Sequence, residues 1–571
     1  MSDYDVIVIG GGINGLTTAA YLARAGLSTL VLEARGECGA HCDTCEPGIP
    51  GFLHNLHCTW FITAMAPAMA DLDLPGFGLE FRGTNTVYAK TFADGKNAIL
   101  DMNPMETRDN WARISESDAA MIERAAGYML PRINEVVDAL HSYLFQAPSL
   151  ASETKFANFM DGFFAEAGYD LSFSALEKMN GFQALDTMMD SEHIKTMIQS
   201  LAWISGMPPI HKKVGSIGAT CLGPMTGAFI PVHIAYGGSH SVTHALVKAA
   251  KTYGAKILPC CPVSRILVED GKAVGVKLSE HAVYPGEEFR AKKVVSNLTV
   301  VPTFIDLVGE DATGAEMAYH IKKFNYNEQN LFGVYYALSG QPEFASADFD
   351  DRVQKCFMGY FGGDNTEEME RYAASLVSGR IHDEVIANWF VPTVADPTQA
   401  PEGCHTSFVW FDVPPAPTRW REGRLSGMSC WDDIKERLAD QADDAYEKYA
   451  PGFKSMVRDR IIYTPLDMYR NNPSAVEGNW VGGSVTPDQF YFNRPVPGVL
   501  RGGASRTFLE NLYLSNSIHP FGTSWLAPGY LAACEVAEDM GARDQDWWQS
   551  RACMWYLENL QNIPLNLGVG V

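Results

Sequence analysis

Three groups of residues in this chain have the types and spacing to do chemistry. The first is Gly10-Gly11-Gly12-Ile13-Asn14-Gly15, a GxGxxG that follows directly on the β-branched run Val6-Ile7-Val8-Ile9. Gly10 permits a tight turn, Gly12 lets the backbone approach a pyrophosphate, and Gly15 lets a helix pack closely on the strand. The amides of Ile13 and Asn14 would open that helix and hold the phosphates. Glu33 lies eighteen residues beyond Gly15, where a carboxylate can accept hydrogen bonds from a ribose diol and would repel a phosphorylated ribose. The second group is Cys38, His41, Cys42, Cys45, His54, His57 and Cys58. Cys42 and Cys45 form a CxxC, yet no downstream CxxC completes four zinc ligands, so no metal is expected. The imidazoles of His54 and His57 suit proton transfer near neutral pH. The third group is His519 with its neighbours from Asn516 to Trp525.

The elements that position the first group are local. Val6–Ile9 reads as a buried parallel strand, the residues from Gly15 to Ala25 suit a helix ended by Gly26, and Ser28–Leu32 reads as a second strand delivering Glu33. Strand, glycine loop, helix, strand and acid form one βαβ dinucleotide unit. No second such unit follows: Gly215-Ser216-Ile217-Gly218 comes after His211-Lys212-Lys213, not after an apolar strand. One dinucleotide at the head of the chain points to FAD, with electrons leaving to oxygen, a quinone or a redox partner. NAD(P)H could still visit without a Rossmann unit of its own.

The chain has 571 residues, 46% hydrophobic and 20% charged, which suits a large globular core divided between two domains. Its 68 acidic and 44 basic residues give a net charge of −24, which opposes phosphate backbones and anionic headgroups, so nucleic acid is not an expected partner. The start, Met1-Ser2-Asp3-Tyr4-Asp5, carries no basic n-region and no apolar run approaches a membrane span. A cytoplasmic protein, soluble or peripherally attached to a membrane, is expected. Twelve cysteines without regular spacing read as reduced thiols.

Beyond Glu33, the stretch Ala34-Arg35-Gly36-Glu37-Cys38-Gly39-Ala40-His41 resembles the extended FAD fingerprint of the amine-oxidase and phytoene-desaturase superfamily. Tyr236-Gly237-Gly238-Ser239 and Pro262-Val263-Ser264-Arg265 resemble its second FAD segment. Asn511 to Pro520, with Gly522 and Ala527-Pro528-Gly529-Tyr530, resembles its terminal flavin motif. The resemblance spans the chain and implies an α/β fold. A Rossmann-type FAD-binding domain (1–75, 232–305 and 460–571) would be interleaved with an α+β substrate domain (76–231 and 306–459). It implies that Ala34, Arg35, Gly39, Ala40 and His41 track the cofactor. The backbone of Val263 would meet the adenine, and Asn516, Gly522, Thr523 and Pro528 would lie against the flavin. Two departures stand near the cofactor: His41 replaces a frequent arginine, and Phe521, Thr523, Ser524 and Trp525 alter a glycine-rich run.

The resemblance also implies an activity: dehydrogenation of a lipophilic, isoprenoid or alicyclic substrate by hydride transfer to flavin N5. His519 is the first candidate base and His57 the second, with Trp60, Phe521 and Trp525 as pocket walls. A double-bond isomerase or saturase, an amine or alcohol oxidase, and a non-catalytic prenyl-binding escort protein are competing readings. Helices are expected over Asp118–Phe145 and Phe156–Met207. Met179, Met188, Met189 and Met197 would be core rather than pocket. Pro392–Pro417 would be a turn-rich connection. The aromatic tail, Trp547, Trp548, Trp555 and Tyr556, could serve a homo-oligomer interface or membrane contact, or pack on the chain itself.

Overall fold

A computed structural model describes residues 3–222, 232–328, 330–500, 502, 504–516 and 526–559. The strand Tyr4–Ile9 (β1) carries Val6, Ile7 and Val8 without exposed surface. Burial on both faces is the environment that a run of β-branched residues fits. It pairs in parallel with Thr29–Leu32 (β2) on one side and with Glu288–Ser296 on the other. Lys256–Leu258 extends the sheet beyond β2, and Leu512–Leu514 extends it beyond Glu288–Ser296, both in parallel. The first half of Glu288–Ser296 pairs antiparallel with Lys272–Leu278, which pairs in turn with Val263–Glu269. The sheet is therefore assembled from the beginning, the middle and the end of the chain.

The helix Ile13–Arg24 (α1) lies against the helix Ala527–Asp539. Asn14 Oδ1 accepts a hydrogen bond from the Gly529 amide at 3.1 Å, and Thr18 Oγ1 donates to the Gly529 carbonyl at 2.9 Å. A Cβ on Gly529 would stand 2.3 Å from the Asn14 carbonyl oxygen, so only glycine allows this approach.

A second, seven-stranded sheet runs in the order Val457–Tyr463, Leu331–Leu338, His405–Asp412, Ala387–Phe390, Met358–Phe361, Thr86–Thr91 and Asn97–Asp101. Its pairs are antiparallel except Met358–Phe361 with Thr86–Thr91. Two expectations are corrected here. Pro392–Pro417 is not merely a connection, because it contains the interior strand His405–Asp412, whose Phe408, Val409 and Trp410 are buried. The flanking prolines mask an apolar run that lies between two neighbours. The strand Val457–Tyr463 also crosses position 460 and pairs within this second sheet.

Between the sheets' chain segments lie the helices Glu116–Met129, Ile133–Leu144, Leu150–Ala167 and Glu192–Ile204. Pro131 divides the first two, as its missing amide and fixed φ require. Met188, Met189 and Met197 are buried core and Met179 packs against it; none of the four lines the cavity described below. The aromatic tail packs on the chain's own body. Trp548 is fully buried with its ring 4.7 Å from that of Tyr21, and the Arg24 guanidinium lies 4.5 Å over Trp547. Among the described residues no helix is long and apolar enough to cross a membrane.

Candidate active site

The glycine loop turns at Gly10, whose φ is +93°. Gly12 is the residue before α1, and no side chain caps the helix, which leaves the helix's amide end without a protein oxygen in the way of an anion. A Cβ on Gly12 would stand 2.8 Å from Asn297 Nδ2, and one on Gly15 would stand 2.3 Å from the Gly10 carbonyl oxygen. Gly15 thus permits the close helix–strand approach, and Gly12 keeps open a cradle walled by Asn297. Glu33 follows β2 and is held from two sides: Oε2 accepts from the Gly11 amide at 2.7 Å and Oε1 from the Arg35 amide at 2.8 Å. Gly39, with φ +132°, donates its amide to the Gly11 carbonyl, and Ala40 follows with φ +50°.

Most of these residues, though not Gly11 or Gly15, line one cavity of about 560 Å³ that is also walled by side chains of the helical part. Gly10, Gly12, Ile13, Asn14, Glu33, Ala34, Arg35, Gly39, Ala40, His41, Val263 and Asn516 all lie along its wall, as do His57 and Trp60. Pro528 does not; it is buried in the first turn of its helix. Gly522, Thr523, His519, Phe521 and Trp525 lie outside the described residues. The other arm is apolar, with Leu140, Leu144, Phe156, Leu201, Trp410 and Trp480 among its lining side chains.

His41 and His57 of the cavity wall and Asp43 beside them form a group of three titratable side chains. Asp43 Oδ1 lies 3.1 Å from His57 Nδ1, and the His57 ring stacks on that of His41 with centroids 4.6 Å apart. Among the described residues Nε2 of His57 has no partner. Burial and the neighbouring His57 push His41 down to about 3, and Asn472 Nδ2 lies 3.3 Å from its Nε2. A neutral ring accepting from Asn472 satisfies both observations. For Asp43, burial works upward, but His57, His41 and Arg35 outweigh it and hold the carboxyl below its ordinary value. Arg35, 3.8 Å from Asp43, is the one cation lining the cavity among the described residues.

Three thiols of the cysteine–histidine segment are held protonated. Contact with Cys58 and burial push Cys42 well up; burial and Glu33 raise Cys38 to about 12; burial raises Cys45 to about 11. Protonated thiols are poor ligands and poor nucleophiles. No group of three metal-binding side chains exists among the described residues. His54 is buried and lines no part of the cavity.

Two further side chains shape the walls. Trp410 donates its indole N–H to the Tyr335 hydroxyl at 2.7 Å, and that hydroxyl bonds the Leu56 carbonyl, tying the second sheet to the His57 segment. Arg494 is fully buried and donates to the carbonyls of Gln489, Gly482, Gly483 and Ser484. It thereby holds the turn that presents Trp480, Val481 and Gly482 to the cavity. Asp43, Asn297, Asn472 and Arg494 were not found by sequence reasoning. For Asn297, a usable signal was its position just past a strand parallel to β1, where α/β sheets bind ligands.

The comparisons agree with this geometry. Residues 8–72 match the NAD(P)-binding Rossmann-like domain. The chain is 26% identical to one of the subunits of limonene dehydrogenase from Castellaniella defragrans, covering 95% of this chain and 96% of that protein. It is 24% identical to the lycopene-forming phytoene desaturase of Pseudescherichia vulneris, covering 81% and 86%. Its fold matches cyclohexylamine oxidase from Brevibacterium oxydans with a TM-score of 0.54, at 15% identity and with 94% and 100% of the two chains covered. The chain is an oxidoreductase, similar over most of its length to phytoene desaturase-like proteins. The cavity of this oxidoreductase opens on a Rossmann-type site for a flavin or dinucleotide, inside a mixed α/β architecture shared with amine-oxidase-type enzymes.

The buried histidines of this oxidoreductase set an acid limit to its stability. Burial is the leading cause that lowers His41 to about 3 and His54, His141 and His233 each to about 4, against an ordinary 6.5. The folded state keeps them neutral while the unfolded chain takes up protons below about pH 6.5, so their contribution is complete above that pH and lost as pH falls toward 4. With all four acting, the loss reaches about 5 kcal/mol per pH unit. Thermal melts between pH 7.5 and 5 should show a steep fall in Tm at the acidic end; a flat profile would refute the assignment.

Proposed function

We propose that this protein is an FAD-dependent dehydrogenase of a lipophilic, isoprenoid or alicyclic substrate. The supporting observation is that the dinucleotide cradle and a set of apolar side chains from the helical part line one cavity. The residues present suit FAD: the glycine cradle at Gly10 and Gly12, Glu33 for the ribose, Arg35 as the cation, and Val263 and Asn516 along the wall. When bound, the flavin supplies an acceptor for hydride. The protein binds the substrate in the apolar arm, excludes water and provides a base. In this reading the base is His57, oriented through Nδ1 by Asp43, with Nε2 left to take a proton from the substrate carbon next to the hydride donor. Trp60, Trp410 and Trp480 give aromatic faces that stabilise positive charge developing on an allylic carbon.

In this reading 1–75, 232–305 and the segment after Tyr463 form a discontinuous cofactor-binding part, and 76–231 and 306–463 form the substrate part; the pairing of Val457–Tyr463 within the second sheet supports a boundary beyond 460. The electron acceptor is oxygen, a quinone or a redox partner. The relatives' printed names support the substrate class, since limonene and phytoene are both isoprenoid hydrocarbons.

Anaerobic mixing of the yellow protein with single-ring and linear isoprenoids tests the reading. Bleaching of the oxidised flavin's visible absorbance is expected; turnover that requires prior reduction of the flavin would replace dehydrogenation by isomerisation or saturation.

A further inference from the structure

The apolar arm has an aromatic stack in its wall. Leu140, Tyr143 and Leu144, on one face of the helix Ile133–Leu144, line the cavity together with Phe156 of the facing helix. The Tyr143 ring is sandwiched: Phe156 lies 4.6 Å from it at 26°, and Tyr491 lies 4.5 Å from it at 9°. Tyr491 does not line the cavity and stands behind Tyr143. Its hydroxyl lies 2.7 Å from Ser152 Oγ, and Ser152 shares the capping box of the helix Leu150–Ala167 with Ser149. The three rings are buried, and centroid separations of 4.6 and 4.5 Å leave no room for a chain to pass between neighbouring rings.

A ring held on both faces, with its outer partner keyed to a helix cap, resists rotating out of the way. We propose that the stack of Phe156, Tyr143 and Tyr491 is the stop of the substrate arm, admitting a compact single-ring or short-chain isoprenoid and excluding a long linear one. The proposal rests on the reading of this arm as a hydrocarbon site. Tyr143 and Phe156 act as specificity-determining residues through the faces they present, and Tyr491 acts as a positioning residue that holds Tyr143 in place.

The test is binding, read from the shift of the flavin's visible spectrum in the oxidised, FAD-loaded protein and so independent of turnover. The probes are a single-ring monoterpene hydrocarbon and squalene, a colourless linear triterpene, each delivered in detergent micelles. Wild type should respond to the monoterpene and not to squalene. Tyr143→Ala should improve squalene binding at least tenfold relative to the monoterpene, and Phe156→Leu should shift it in the same direction. Tyr143→Phe keeps the ring and should retain wild-type selectivity, which guards against misfolding as the cause. Equal binding of both probes by wild type, or an unchanged ratio in Tyr143→Ala and Phe156→Leu, overturns the stop. Monoterpene binding without anaerobic bleaching removes the dehydrogenase reading and leaves the stop standing, whereas a wild type that binds neither probe removes both.

Discussion

His57→Ala should retain FAD and slow anaerobic flavin reduction by roughly a hundredfold or more, the range expected when a positioned base is removed. The argument rests on the arrangement around the ring. Asp43 engages Nδ1 at 3.1 Å, His41 covers one face at 4.6 Å, and Nε2 has no partner among the described residues. A ring fixed in this way presents one nitrogen for proton transfer. Asp43→Asn keeps the shape but loses the charge that stabilises an imidazolium, so a smaller loss of rate is expected from it. Stopped-flow absorbance at the flavin band decides the matter. An unchanged rate in His57→Ala would remove His57 from the chemistry, and the parallel variant His519→Ala would then test the other imidazole.

Arg494→Met should cost about 3–6 kcal/mol, less than the sum of the four charged hydrogen bonds it loses because the cost of burying the guanidinium is recovered, and lower the apparent Tm by several degrees. The guanidinium reaches four carbonyl oxygens, has no exposed surface, and burial pulls it down to about 10. Methionine fills the volume and satisfies none of those oxygens. Because the same turn presents Trp480 and Val481, the variant should also release flavin at a lower temperature than wild type, measured as the rise in flavin fluorescence during the melt. Arg494→Lys, with one compact ammonium, should recover only part of the loss. A melt indistinguishable from wild type would show that the turn holds without this side chain.

What could be read in advance follows from how local each feature is. Val6 to Glu33 was legible because strand, glycine turn, helix and acid are adjacent in sequence and each residue type answers to one geometric need. Val263 and Asn516 came from resemblance to a family motif, not from spacing, and they too line the cavity. Asp43 was passed over within a run dominated by cysteines and histidines. Its role exists only because the chain returns to place His57 against it. Asn472 meets His41 across 431 residues, and no periodicity reports such a pairing. The strand His405–Asp412 was hidden for a different reason: prolines on either side are strong turn signals, while an interior strand announces itself only by an apolar run.

The bond between Asn14 and Gly529 joins positions 515 residues apart. Its consequence lies in the order of synthesis. The βαβ unit is synthesised about 480 residues before the strand Leu512–Leu514 that extends its sheet and the helix Ala527–Asp539 that packs on α1. A nascent chain therefore leaves the apolar face of α1 uncovered until the helix Ala527–Asp539 has been made. Chains stopped before about residue 526 should be aggregation-prone and retain no cofactor, because they lack the helix that covers α1.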